Sequence, residues 1–282
     1  MTHEIEQITI NGAQLGYSVH GAGPDKPTLV FAHGYAMRST GRLYAELLDL
    51  LARRFAVYAL DLRGHGASAG AVAGWSYEAV ADDVVAFSHA LGLDRPVFVG
   101  HSFGAVIGLL AGIRHPGAFQ ALCLLEPGPA DSRRDPVNTL DALIEHGHER
   151  DMLRDGFFKM FVHPPGEKLE LALDAATLVD ADVHRAQKEQ NPHFSIDDRL
   201  KDVGAPVLLI SGKKDGVVQP ARQHDMAGKL PHSKEVIFSG EGHMLAIERP
   251  AGAAREVLAF LDHDTGSMAD GTASSASDKG GL

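Results

Sequence analysis

The sequence predicts an α/β fold: a mostly parallel, twisted sheet with helices on both faces and a helical segment inserted into it. Three observations carry this. Four short apolar runs, Leu29 to Ala32, Val97 to Val99, Ala121 to Leu125 and Val207 to Ile210, lack polar alternation, as strands buried on both faces do. Segments with apolar residues at helical spacing stand between the runs, which is the pattern of a parallel sheet wrapped by helices. Between Glu126 and Lys201 the alternation stops, and the turn residues Pro127-Gly128-Pro129 lead into stretches that read as helices alone.

The elements follow in order. Ile5 to Ile10 and Gln14 to His20 flank Asn11-Gly12, a strong hairpin signal, and form an antiparallel pair at one sheet edge. Leu29 to Ala32 gives the third strand, Leu43, Leu47, Leu50 and Leu51 mark a helix, and Phe55 to Leu60 gives the fourth strand. The helical stripe Val80, Val84, Phe87 and Leu91 leads to the Val97 strand, and the stripe Val106, Leu109, Leu110 and Ile113 leads to the Ala121 strand. Val207 to Ile210 and Glu235 to Phe238 complete the sheet. A last helix starts at Pro250, a favoured first-turn residue, and buries Val257, Phe260 and Leu261. The organisation expected is a core of residues 1–126 and 201–263, a helical cap of residues 127–200, and a disordered tail of residues 264–282 rich in Gly, Ser, Ala and Asp. The cap contains Leu140 to His146, the aromatic-rich group Phe157, Phe158, Met160 and Phe161, and Leu169 to Leu178. The aromatics read first as cap core and second as substrate contacts.

Composition narrows the function. With 282 residues, 44% of them hydrophobic and 22% charged, the chain has room for one globular α/β domain and an insertion. A formal net charge of -11 without a Lys/Arg cluster repels phosphate backbones and anionic lipid, so the expected partner is a small-molecule substrate and not nucleic acid or membrane. Cys123 is the single cysteine, lies in an apolar run and forms no internal disulfide, which suits a reducing cytoplasm. Met1-Thr2-His3-Glu4 has neither the basic patch nor the apolar segment of a signal peptide, and the longest apolar run, Ala105 to Ile113, is too short to span a bilayer. A cytoplasmic location is therefore expected.

The chemistry centres on Gly100-His101-Ser102-Phe103-Gly104, which falls between an apolar strand and a helical stripe. In that context G-x-S-x-G reads as a nucleophile elbow, a sharp strained turn that presents the serine hydroxyl to a cleft. Ser102 is the candidate nucleophile. It needs a base to take its proton and an acid to orient that base. Asp215, in Gly212-Lys213-Lys214-Asp215-Gly216, follows the Val207 strand, and His243, in Ser239-Gly240-Glu241-Gly242-His243, follows the last strand. All three sit in loops at the carboxyl ends of parallel strands, where open α/β sheets place their ligands. Glu126, at the end of the Ala121 strand, is the alternative acid. Among the other histidines, His33 and His65 read as organisers of their loops, and His146 and His148, two apart, diverge on a helix and make no metal pair. His163 reads as a solvated cap residue or a substrate contact. Arg38 reads as a surface residue, or as a guanidinium that grips a substrate carboxylate.

These motifs resemble the α/β-hydrolase superfamily, in its capped branch of esterases, lactonases, meta-cleavage hydrolases and cofactor-free haloperoxidases. The resemblance spans residues 5 to 262 and includes His33-Gly34-Tyr35 after the third strand and Asp61-Leu62-Arg63-Gly64-His65-Gly66 after the fourth. It implies the α/β-hydrolase fold, the triad order Ser102, Asp215, His243, and an oxyanion hole made by the amides of Tyr35 and Phe103. It also implies a serine hydrolase of a small carboxylic ester or lactone that needs no cofactor or metal. A serine at position 102 points away from the dehalogenase and epoxide-hydrolase branches, whose nucleophile is a carboxylate. The alternatives that the fold leaves are hydrolysis of a carbon–carbon bond in a diketone-like ring-cleavage product, perhydrolysis, and a small-molecule receptor or cofactor-free oxygenase or lyase on the same scaffold. Perhydrolysis is the weaker of these, because Ala36 stands where that branch often has proline.

Overall fold

The computed structural model describes residues 3–23, 25–133 and 149–269, with 263–269 as backbone. An eight-stranded sheet organises them in the order β1-β2-β4-β3-β5-β6-β7-β8. Strands β1 (Ile5–Ile10) and β2 (Ala13–His20) pair antiparallel through the Asn11-Gly12 turn, and β2 continues antiparallel onto β4 (Ala56–Leu60). From β4 onward every pairing is parallel, through β3 (Thr28–Ala32), β5 (Val97–His101), β6 (Leu122–Leu125), β7 (Val207–Gly212) and β8 (Ser233–Phe238). Every residue of β5, β6 and β7 is buried, which is why those runs carry no polar alternation. The edge strand β8 is largely exposed or half-buried.

The helices cover the sheet where the apolar stripes demand it. Helix α1 (Ala45–Leu51) buries Leu47, Leu48 and Leu51. Helix α2 (Tyr77–Ala90) starts at Ser76, whose hydroxyl accepts from the Ala79 amide at 3.0 Å, and buries Val80, Val84 and Phe87. Helix α3 (Phe103–Arg114) is buried from Phe103 to Ile113, so it is apolar all round and forms the centre of the core.

The chain between β6 and β7 leaves the sheet, as its loss of strand periodicity implies. Its described helices are α4 (Arg150–Phe158), α5 (Glu167–Ala176) and α6 (Ala181–Gln190), followed by a 3-10 turn at Asp197–Asp202. Arg150 and Arg154 of α4 both pair with Glu170 of α5. Helix α6 is held to the core at one end by the Asp180 amide, which donates to the Gly64 carbonyl, and at the other by Gln190, whose amide donates to the Trp75 carbonyl at 3.2 Å. The proposed cap helix over Leu140 to His146, with His146 and His148, lies outside the described residues.

Helix α7 (Pro220–Lys229) separates β7 from β8, and the short α8 (Leu245–Glu248) precedes α9 (Pro250–Ala269). Helix α9 starts at Pro250 and buries Val257, Phe260 and Leu261 as expected. Its backbone continues as helix through Asp264 to Ala269, within the stretch that composition reads as tail. Small residues such as Ala and Ser do not end a helix that is already running. Residues 270–282 lie outside the described residues.

Candidate active site

The corner between β5 and α3 is a single residue. Ser102 has φ 49° and ψ −112°, in the left-handed half of backbone space that a β-carbon disfavours, so the turn is strained. Its neighbours have to be glycine. A β-carbon on Gly100 would lie 2.6 Å from the Ala105 amide nitrogen, and one on Gly104 would lie 2.5 Å from the Ala32 carbonyl oxygen. Both contacts are with backbone that cannot yield, so the missing side chains let α3 lie against β3 and β5. The Ser102 amide donates to Leu125 at 2.9 Å and its carbonyl accepts from Gly128 at 3.0 Å, which ties the corner to β6.

Three side chains meet there in one hydrogen-bonded line. Ser102 Oγ is 2.9 Å from His243 Nε2, and His243 Nδ1 is 2.9 Å from Asp215 Oδ2. Asp215 is itself pinned: Oδ1 accepts from the amides of Val217 and Val218 at 2.8 and 2.9 Å, and Oδ2 accepts from the Gln223 side chain at 2.9 Å. Burial by itself raises the Asp215 pKa. The charge of His243, its hydrogen bond and the Val218 and Val217 amides outweigh that, and the carboxyl is held below its ordinary range. An ionised Asp215 fixes the proton of His243 on Nδ1, which leaves Nε2 free to accept from the serine hydroxyl.

Glu126, the alternative acid, points elsewhere. It is fully buried, its Oε2 lies 3.3 Å from His101 Nε2 and accepts weakly from the Ala246 amide, and no hydrogen bond joins it to His243 among the described residues. Burial pushes its carboxyl well above the ordinary range, which favours its neutral form. His101 stands behind the site: Nδ1 meets the Tyr44 hydroxyl at 2.7 Å, and Nε2 donates to the His243 carbonyl at 2.9 Å. The Tyr44 hydroxyl in turn accepts from the Gly34 amide at 3.2 Å. A buried polar chain thus joins the loop after β3 to the loop that carries His243.

Tyr35 and Phe103 flank the serine. Phe103 opens α3, whose N-terminal dipole favours negative charge, and the neighbouring Gly104 amide donates to the His33 carbonyl at 3.1 Å. Among the described residues neither the Tyr35 amide nor the Phe103 amide donates to another protein group. His33 holds the loop from within, with Nδ1 donating to the Gly34 carbonyl at 2.7 Å and Nε2 accepting from the Leu62 amide at 3.0 Å. The Tyr35 hydroxyl reaches the cap, where it meets His184 Nδ1 at 2.5 Å.

Above Ser102 and His243 lies a cavity of about 200 Å³, walled by Tyr35, Met37, Val106, Phe157 and Met160 among others. Of the cap cluster singled out from the sequence, Phe157 and Met160 line it, and Phe158 and Phe161 do not. Phe158 is 54% exposed, because it falls on the outer face of α4, and Phe161 is buried away from the cavity wall. His163 is not among the lining residues: its ring pairs with Glu241 at 3.0 Å and its amide with Glu248 at 2.7 Å, which fastens the cap to the His243 loop. Arg38 is not a cavity residue, and its side chain packs beside Gly41 and Gly66. The sequence reading missed Tyr77, Ser132 and Gln187, which form a polar corner of the cavity. A signal existed, since His184, Gln187 and Asn191 recur at helical spacing beside Val183 and put polar groups on the buried face of α6. Among the described residues, the side chains that could share a cation are His3, His20 and Asp49, and none lines the cavity.

An elbow serine, a histidine after the last strand and an aspartate after β7, all at the carboxyl edge of a parallel sheet, define a hydrolase-type α/β protein. The model of the alpha/beta hydrolase fold family matches residues 27–250, and the chain belongs to that family. It is 28% identical over 262 residues to the protein named "Putative carbamate hydrolase RutD" of Rhizobium rhizogenes, covering 88% of this chain and 97% of that one. The pimeloyl-[acyl-carrier protein] methyl ester esterase of Vibrio atlanticus is 24% identical, covering 87% of this chain and 97% of that one. Among solved structures, the enol-lactonase of Burkholderia xenovorans LB400 superposes with a TM-score of 0.77 at 20% identity, covering 92% of this chain and all of that one, and shares the fold. No helix among the described residues is long and apolar enough to cross a membrane.

Proposed function

We propose that this protein is a serine hydrolase that cleaves a small carboxylic ester or lactone through an acyl-enzyme on Ser102. The observation that carries this reading is the unbroken line from Ser102 through His243 to Asp215 at the floor of a mostly apolar cavity. Ser102 Oγ attacks the carbonyl carbon as His243 Nε2 takes its proton, and Asp215 stabilises the imidazolium. The developing oxyanion is received by the amides of Tyr35 and Phe103, each worth about 3 to 4 kcal/mol in sites of this kind. Collapse expels the alkoxide, which takes the proton back from His243. Water activated by His243 then releases the acid and restores the serine. The described cap residues Phe157, Met160 and Gln187 wall the cavity and would set which acyl groups fit, and relatives named for carbamate and methyl ester hydrolysis fit the same acyl-transfer chemistry.

The test is a fluorophosphonate label located by mass spectrometry, together with turnover on short aryl esters and lactones. Ser102 is expected to carry the label, and Ser102→Ala to lose both label and turnover, the latter by about a millionfold. Turnover that survives in Ser102→Ala, or labelling without turnover in the wild type, overturns the reading.

A further inference from the structure

One buried tyrosine hydroxyl links the two loops that flank Ser102. Tyr44 stands just before α1, is 1% exposed, and packs its ring against Phe31 with centroids 4.9 Å apart. Its hydroxyl touches three groups: the Gly34 amide at 3.2 Å, His101 Nδ1 at 2.7 Å and Met37 Sδ at 2.9 Å. The partners dictate which way each proton points. The His243 carbonyl can only accept, so the proton between it and His101 sits on His101 Nε2, at 2.9 Å, with Glu126 Oε2 a longer second acceptor at 3.3 Å. Burial and the neighbouring His243 push the His101 pKa down to about 3, so the ring is neutral and carries no second proton. His101 Nδ1 is therefore an acceptor, and it takes the Tyr44 proton in preference to the weaker thioether of Met37. The Tyr44 oxygen is left to accept from the Gly34 amide.

Every donor in this chain points the same way, from the Gly34 amide through Tyr44 and His101 to the His243 carbonyl, so each bond polarises and strengthens the next. Both ends lie beside the reacting groups. The Gly34 carbonyl accepts from His33 Nδ1 at 2.7 Å and from the Met37 amide at 3.1 Å, and in a trans peptide the Tyr35 N–H points opposite to that carbonyl. With its amide held by Tyr44 and its carbonyl by His33 and Met37, Gly34 cannot turn, and the direction of the Tyr35 amide is set. A β-carbon on Gly34 would lie 2.8 Å from His101 Nδ1, so the glycine lets this loop sit directly on the chain. At the other end, the carbonyl that accepts from His101 belongs to the residue whose Nε2 stands 2.9 Å from Ser102 Oγ.

We propose that Tyr44 is a positioning residue for acyl transfer: through Gly34 it aims the Tyr35 amide at the developing oxyanion, and through His101 it anchors the backbone of His243. The proposal rests on the serine-hydrolase reading, because the effect is expressed through acyl transfer at Ser102. Tyr44 is not among the residues that line the cavity, so its hydroxyl acts on turnover and not on substrate binding. Without that hydroxyl the Gly34 amide is buried and unpaired, and neither tautomer of His101 satisfies both ring nitrogens. Both loops then lose the contact that registers one against the other.

The experiment compares two variants of the full chain. Tyr44→Phe keeps the ring against Phe31, and Tyr17→Phe removes a hydroxyl that bonds Glu6 at the sheet edge. Each is checked for folding by its thermal melt, then measured for kcat and KM on a short aryl ester and for affinity toward benzeneboronic acid, whose adduct with Ser102 places an oxygen where the oxyanion forms. Tyr44→Phe is expected to lower kcat and weaken boronic acid binding by at least about tenfold each, with KM within about twofold of wild type. Tyr17→Phe is expected to change the melt alone. A smaller fall in kcat, a loss carried by KM, or unchanged boronic acid affinity overturns the proposal and leaves Tyr44 a packing residue. An equal fall in kcat for Tyr17→Phe overturns it too, because lost stability would then be the cause. If Tyr44→Phe does not fold, nitrogen NMR of the wild type still decides: the His101 ring is expected to carry its proton on Nε2 at neutral pH, and a proton on Nδ1 overturns the proposal. These failures leave the hydrolase reading standing, whereas absence of both turnover and fluorophosphonate labelling in the wild type removes the two together.

Discussion

Ser102 and Gln187 face one cavity, yet the protein holds them by different means. Ser102 is fixed by backbone: a strained φ, two neighbouring glycines with no room for a β-carbon, and hydrogen bonds from its own amide and carbonyl to the β6 side of the sheet. Gln187 is fixed by side chains, through Tyr77, Asn191 and the packing of α6 on the core. The sheet half can therefore present the Ser102 hydroxyl whatever the cap does, while the cap half can change its polar groups without disturbing the elbow. Reaction type and substrate choice are thus lodged in separable parts of one site.

The sharpest way to break this comparison lies wholly in the sheet half. Asp215→Asn keeps the shape of the acid but reverses the hydrogen bond to His243 Nδ1 or forces the wrong tautomer, and kcat on an aryl ester is expected to fall about ten-thousandfold. Glu126→Gln is expected to change kcat by less than tenfold, because Glu126 meets His101 and the Ala246 amide instead of His243. The reverse order of effects would move the acid from β7 to β6. Next in size is Gly104→Ala, which thrusts a β-carbon against the Ala32 and His33 carbonyls at 2.5 and 2.6 Å. Backbone oxygens on a central strand cannot retreat, so a loss of about 3 kcal/mol, at the upper end of overpacking costs, is expected in denaturant unfolding. A loss below about 1 kcal/mol would show the elbow to be more pliant than its geometry.

In the cap half the contrast is between adjacent phenylalanines. Phe157 is buried and lines the cavity, and Phe158 is half-exposed. Phe157→Ala is expected to raise KM for aryl esters about tenfold as the ring loses its wall, with Phe158→Ala within twofold of wild type. Equal effects would mean that the cap acts only as a lid and not as a wall.

The two halves also differ in how far the sequence betrays them. The sheet, its antiparallel edge at Asn11-Gly12, the start of α9 at Pro250 and the residues Ser102, Asp215 and His243 were all legible, because each is dictated locally: by strand burial, by turn chemistry, or by position at a strand end. Between the two candidate acids the sequence does not choose; the loops after β7 and β8 put Asp215 and not Glu126 within hydrogen-bond distance of His243. The cap wall was not legible. Which face of α4 meets the cavity depends on how α4 is seated on the core, and that seating rests on contacts such as Lys168 to the Ile247 carbonyl and the Val162 and His163 amides to Glu248, which join residues distant in sequence. Aromatic identity alone could not tell Phe157 from Phe158. Helix α9 runs past Asp264 for a related reason, since a helix already nucleated continues through residues that would not start one.

A smaller effect tests whether the sheet half tolerates charge at all. His33, His65 and His101 are fully buried, and burial pushes their pKa values down to about 4, 3 and 3, against an ordinary value near 6.5. Below that ordinary value the unfolded chain binds protons that the folded protein refuses, so each imidazole lowers stability as pH falls from about 6.5 toward its folded value. Glu126 and Asp61, both raised by burial, act oppositely: the folded state holds their protons more readily than the unfolded chain does, so they favour the folded state as pH falls and partly mask the histidines. Comparing a variant with wild type cancels that mask. His65→Gln can keep the donation to the Arg63 carbonyl now made by Nδ1 at 3.1 Å while removing the titrating group. Between about pH 6 and pH 5 its unfolding free energy is expected to decline by about 1 kcal/mol less than that of wild type. Equal declines would mean that His65 takes up its proton without unfolding, and that the loop joining β4 to the site opens to water before the sheet does.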